Sequence, residues 1–174
     1  MTTSATDRNF DPIADHFAKK VYGGLKGRIR LAVLTQDITD AITGLSQTLG
    51  RPLRVLDVGA GLAQISLELA KNHHITINDI SVNMLDKAKD SAAQMAINPD
   101  NLRFIACPYQ DLPAHLGDEK FDLILCHAVL EWLGEPEAIM AFFDQYLAGG
   151  GALSLCFYNP ASLIYRNLVM GNFY

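Results

Sequence analysis

The stretch VLDVGAGLAQIS, Val55 to Ser66, decides how the rest of the chain is read. An apolar run ends in a glycine turn and a helical pattern follows, the outline of a strand, a tight loop and a helix. A dinucleotide fingerprint reads G-x-G-x-x-G, and its third glycine lets the helix pack tightly on the strand while pyrophosphate rests at the helix N-terminus. Here Gly59 and Gly61 fill the first two places, and Gln64 takes the third. Asp57 stands two residues before the first glycine, where a pyrophosphate would meet negative charge. The loop therefore suits a nucleoside carrying a positive group better than a diphosphate.

Working outward, short runs rich in Val, Ile and Leu alternate with helical patterns from residue 53 onward, the signature of a parallel sheet covered on both faces. The pattern predicts strands at 53–58, 75–79, 102–107, 121–126 and 152–158, with helices at 62–72, 82–96, 112–116 and 136–147. Ser81 is placed to cap the second of these helices, and Gly149, Gly150 and Gly151 are expected to break the chain before the fifth strand. Two further helical segments are expected at about 11–20 and 27–48, the latter with Ile29, Val33 and Ile38 at helical spacing. The expected organisation is an N-terminal helical segment over 1–50 and a ligand-binding core over 51–174. One helical segment follows the fifth strand, so the sheet is expected to lack its C-terminal strands in this chain.

With 174 residues, 49% hydrophobic and 19% charged, the composition describes one globular domain with a real core. No apolar run reaches the roughly 18 residues of a membrane helix, and the polar start MTTSATDRNF is no secretory signal, so a cytoplasmic protein is expected. Cys107, Cys126 and Cys156 each sit in an apolar run far from one another, which reads as buried reduced thiols with no metal cluster. The net charge of −5 is uneven: residues 1–30 hold six basic and three acidic residues, the remaining 144 eight basic and sixteen acidic. A basic arm on an acidic body can touch an anionic partner or be a solvated helix face.

In such a sheet ligands bind beyond the carboxyl ends of the strands, where Gly59 and Gly61 allow the backbone to approach closely. Asp79 ends the second predicted strand, where a carboxylate can accept hydrogen bonds from both hydroxyls of a ribose. Gln110 and Asp111 follow the third, where they can meet an adenine amino group, although Asp111 also reads as the cap of the next short helix. The spacing of Asp57, Gly59, Gly61, Asp79 and Asp111 resembles that of class I S-adenosylmethionine-dependent methyltransferases, which have a Rossmann-like α/β fold. The phrases RNFDPIADHFAKKVYGGLKGRIRLAVLTQDI at 8–38, CHAVLEWL at 126–133, LSLCFYN at 153–159 and NLVMGNF at 167–173 resemble the tRNA 5-carboxymethoxyuridine methyltransferases. That resemblance covers nearly the whole chain except the family's C-terminal third. It implies methylation of the carboxylate of 5-carboxymethoxyuridine at the tRNA wobble position, with cofactor contacts at Arg30, Gly59, Ala60, Asp79, Tyr109 and His127.

An acceptor carboxylate is already ionised at neutral pH, so no catalytic base is expected, and His127 is read as a cofactor or packing contact. Arg30 is the candidate anion clamp, for either the methionine carboxylate of the cofactor or the carboxylate of the modified uridine. On the acceptor side Trp132 can stack on a base or pack under the next helix, and Tyr158 and Asn159 are placed to orient a uracil edge. A small-molecule O- or N-methyltransferase on the same fold, or a non-catalytic module that binds S-adenosylmethionine, also accommodates these features.

Overall fold

The structure is a computed structural model and describes residues 24–171. The helical segment expected at 11–20 lies outside the described residues. Five strands form one sheet: β1 (Arg54–Val58), β2 (His74–Asp79), β3 (Leu102–Ala106), β4 (Phe121–His127) and β5 (Leu147–Cys156), in the order β3-β2-β1-β4-β5. Every neighbouring pair is parallel. Six α-helices accompany them among the described residues: α1 (Leu25–Leu49), α2 (Gln64–Leu69), α3 (Val82–Gln94), α4 (Pro113–Leu116), α5 (Ile139–Tyr146) and α6 (Pro160–Val169).

Strands covered on both faces carry apolar side chains on both, and so read as unbroken Val, Ile and Leu runs. The first six residues of β4 are all buried. On one face Val55, Ile77, Leu123 and Leu125 pack with Ile38 of α1, Leu67 of α2 and Leu85 and Ala88 of α3. On the other, Leu56, Val58, Ile124 and Cys126 pack with Leu116 of α4 and Phe142, Phe143 and Tyr146 of α5. Arg51 joins β1 to β4 at the end away from the glycine loop, donating from Nη1 and Nη2 to the two oxygens of Asp122 at 2.8 and 2.9 Å. None of the described helices is long and apolar enough to cross a membrane.

The expected elements are present with three differences of physical interest. The helix expected over 62–72 spans Gln64–Leu69; it starts late because Ala63 before it holds a left-handed backbone (φ 52°) that no helix includes. A short 3₁₀ turn, Pro136–Ala138, precedes α5. The fifth strand runs straight through the three glycines that were expected to break the chain. Gly150 takes a left-handed φ of 79°, and the pairing register with β4 shifts between Phe121 and Leu123. A Cβ on Gly151 would lie 2.9 Å from the backbone oxygen of Asp122, so the glycines make an irregularity that lets the strand stay paired.

A candidate cofactor cleft at the switch point

The chain runs from β1 outward to β2 and β3, then crosses back to place β4 and β5 on the other side of β1. Helices therefore leave β1 and β4 toward opposite faces, and a crevice opens at their carboxyl ends. A cleft open to solvent occupies this place, lined by the loop after β1, the ends of β2 and β4 and the start of α1.

The loop after β1 forms one wall. Gly59 and Gly61 both hold left-handed backbones, at φ 66° and 57°. A Cβ on Gly59 would also stand 2.5 Å from Cγ2 of Val129, so this glycine is required twice over. The Ala60 N–H donates to the Asn78 carbonyl at 2.9 Å. The Gly61 N–H donates to Oδ2 of Asp79 at 2.7 Å, and the Ser81 N–H donates to Oδ1 at 2.8 Å. Asp79 is thus oriented from both sides, its carboxylate held at the cleft by two backbone donors. Across the cleft Ala128 also holds a left-handed backbone (φ 57°), pinned by its N–H to the Cys156 carbonyl at 2.7 Å. A non-glycine residue held in this region marks a segment whose surroundings fix its shape.

The floor is acidic. Asp57 is 7% exposed and its Oδ2 accepts from Ser66 Oγ of α2 at 2.5 Å. Burial pushes its carboxyl up to about 7; the Ser66 hydrogen bond opposes the rise and the Asp79 charge adds to it. A carboxylate this poorly solvated gains most from a positive ligand group. His127, at the end of β4, is moved the other way, down to about 4, by burial. Its Nε2 lies 2.9 Å from Ser154 Oγ. At neutral pH the imidazole is uncharged and too weak a base to draw a proton efficiently.

Arg30 and Gly27 of α1 reach the cleft, joined by Tyr109 and His127, and Trp132 and Leu133 line it on the β4 side. Together with Asp57, the glycine loop and Asp79, these are most of the residues singled out in the sequence. Gln110 and Asp111 are exposed in a 3₁₀ turn outside the lining. Asp111 does not cap α4, whose N-cap is Leu112. Tyr158 and Asn159 also stand outside the lining. Asn159 caps α6, its Oδ1 accepting from the Ala161 N–H at 2.9 Å.

Sequence reasoning missed Ser66 and Asn78. Ser66 is fully buried, and the hint was a hydroxyl inside an otherwise apolar helix face. Asn78, 2% exposed, donates from Nδ2 to the carbonyls of Ile105 and Cys107 at 3.1 and 2.8 Å. It fastens β2 to the segment that delivers Tyr109. Among the described residues no cluster of His, Cys, Asp and Glu could hold a metal ion.

Residues 50–170 match the family model described as a methyltransferase domain. The chain is 41% identical over 168 residues to the tRNA 5-carboxymethoxyuridine methyltransferase of Escherichia coli K12, covering 96% of this chain and 62% of that protein. It is 30% identical over 119 residues to a ubiquinone biosynthesis O-methyltransferase of Coxiella burnetii, covering 67% of this chain and 48% of the relative. This chain therefore spans less than two thirds of the length of either relative. In fold it is similar to the crystal structure of magnesium protoporphyrin IX methyltransferase from Synechocystis PCC 6803 with bound SAH. The TM-score is 0.71 at 20% identity, over 94% of this chain and 76% of the other. With a Rossmann-like sheet, a cleft at its switch point and a family model matched over most of its length, the chain belongs to the class I S-adenosylmethionine-dependent methyltransferases.

Proposed function

We propose that the chain is the cofactor-binding part of a cytoplasmic enzyme that methylates the carboxylate of 5-carboxymethoxyuridine at the tRNA wobble position. The observation that carries the cofactor is the pair of buried carboxylates, Asp57 and Asp79, beside a glycine loop whose third phosphate-loop glycine is replaced. The acceptor is supported by the 41% identity to the Escherichia coli enzyme of that name. The residues suit S-adenosylmethionine: an acidic floor would face its positive charge, Asp79 ends β2 where a carboxylate can accept from ribose hydroxyls, and the left-handed backbones of Gly59 and Gly61 shape the loop that walls the cleft.

When bound, the cofactor supplies a methyl group on positive sulfur; transfer to a carboxylate oxygen forms a carbon–oxygen bond as the carbon–sulfur bond breaks, its electron pair passing to sulfur. No proton moves, because a carboxylate with an ordinary pKa near 4 is ionised at neutral pH. The chain's task is then alignment and solvent exclusion. Asp57 offsets cationic charge from the floor, neutral His127 adds no competing cation, and Val129, Trp132 and Leu133 form an apolar wall. Arg30 on α1 is the side chain suited to grip a carboxylate bidentately.

Mass spectrometry of wobble nucleosides in tRNA from a strain lacking the gene tests this reading. The methyl ester should disappear and 5-carboxymethoxyuridine should accumulate; an undiminished ester would remove the tRNA acceptor. In that event the apolar wall and the 30% identity to a ubiquinone biosynthesis O-methyltransferase favour a small-molecule acceptor.

A further inference from the structure

Two segments leave the sheet side by side at the mouth of the cleft. One follows β4 and carries Trp132 in the 3₁₀ turn Leu130–Trp132; the other follows β5 and carries Tyr158. They are joined first by the Ala128 N–H donating to the Cys156 carbonyl at 2.7 Å, which continues the pairing of His127 with Cys156. Two residues on, the strands have ended and no ladder can hold them. There a side chain takes over: Glu131 accepts the Tyr158 N–H through Oε1 at 2.5 Å, across 27 residues of sequence. Its other oxygen, Oε2, is buried and has no hydrogen-bond partner among the described residues. The carboxylate turns inward far enough to help burial and Asp57 push the Cys126 thiol up.

We propose that Glu131 is the positioning residue of the acceptor mouth: it clamps the turn carrying Trp132 to the segment carrying Tyr158 and so sets the gap through which the acceptor enters. The proposal rests on the methyltransferase reading only for the identity of that acceptor. A buried oxygen left unpaired costs stability, which selection for folding alone would remove by placing a neutral residue there. Residues that break a local rule without a stabilising return are expected at functional sites. Trp132 lines the cleft and Tyr158 is 52% exposed, so the clamp joins one wall of the site to a solvent-facing aromatic side chain. Asp57 and Asp79 stand on β1 and β2, strands that the Glu131–Tyr158 contact does not join.

Trp132 is the single tryptophan of the chain and reports on the mouth directly. Wild type, Glu131→Ala and Glu131→Gln are compared in the full chain by acrylamide quenching of Trp132, thermal melting, cofactor titration and steady-state kinetics on tRNA bearing 5-carboxymethoxyuridine. Glu131→Ala should at least double the quenching constant and raise the acceptor KM at least tenfold, with cofactor Kd within twofold and no loss of melting temperature. Glu131→Gln keeps an oxygen for the Tyr158 N–H and should restore most of the quenching and KM change. Wild-type quenching and KM in Glu131→Ala would overturn the clamp, as would parallel losses of cofactor affinity and melting temperature in both variants, which mark a merely structural residue. A wild type that fails to methylate this tRNA, while the quenching differences persist, overturns the proposed acceptor and leaves the clamp standing.

Discussion

Asp57 should make the ligand-free protein less stable as pH rises, and replacing it should reverse the effect. Its carboxyl sits at about 7 in the folded chain against an ordinary value of 3.8, burial being the main cause. The folded state therefore holds the proton more tightly than the unfolded state. The contribution is fully favourable below pH 4 and is lost as pH rises from about 4 through about 7. At about 1.4 kcal/mol per unit, the gap amounts to ~4 kcal/mol at pH 8. Asp57→Asn removes the charge and still accepts from Ser66 Oγ, but its amide N–H groups need partners, a cost of ~1–3 kcal/mol. The net expectation is a variant more stable than wild type by ~1–3 kcal/mol at pH 8 and no more stable at pH 5. Urea unfolding of both proteins at pH 5, 6, 7 and 8 measures it. Saturating S-adenosylmethionine should stabilise wild type more than the variant at pH 8, because the cation relieves a charge that only wild type carries. Parallel pH profiles for the two proteins, or a variant less stable at pH 8, would refute the claim that this acid is poised by burial for a positive ligand.

Three other outcomes follow from the same cleft. Asp79→Ala loses two charge-assisted bonds to a ribose, ~2–4 kcal/mol, so calorimetry should show cofactor Kd raised at least tenfold in a folded variant. His127→Gln should leave the pH–rate profile above about pH 6 the same as that of wild type, since an imidazole lowered to about 4 does not titrate there and any contribution of Asp57 is common to both; a wild-type group near pH 7 that vanishes in the variant would contradict this. Arg30→Ala should weaken cofactor binding by ~1.5–3 kcal/mol if the guanidinium grips the methionine carboxylate, with Arg30→Lys restoring only part; an unchanged Kd with a raised acceptor KM assigns it to the uridine carboxylate.

The sheet was legible because strands buried on both faces are written as apolar runs, and the turn after β1 because Gly59 and Gly61 interrupt such a run. Asp57 and Asp79 were legible as acids at fixed distances from those glycines. What made Asp57 chemically unusual was not, since its pKa depends on how α2 lays Ser66 and apolar neighbours over the end of β1. The path of β5 through Gly149, Gly150 and Gly151 was misread because glycine signals both a break and a close approach, and only the neighbouring Asp122 carbonyl decides between them. Asn159 shows the same ambiguity in a polar residue: its side chain can cap a helix or face a ligand, and here it caps. Glu131 carried no local signal, because its partner lies 27 residues away on another segment.

Under the proposed function, an acid-floored cleft on this fold presents a methyl cation equivalent to a carboxylate on tRNA. Incubating the full-length protein with methyl-labelled S-adenosylmethionine and tRNA containing 5-carboxymethoxyuridine, then digesting and analysing the nucleosides by mass spectrometry, tests it directly. The account predicts a labelled methyl ester at the wobble uridine that mild alkali removes. Label that resists alkali on a ring or ribose position, or no label on RNA while the protein binds the cofactor, would contradict it.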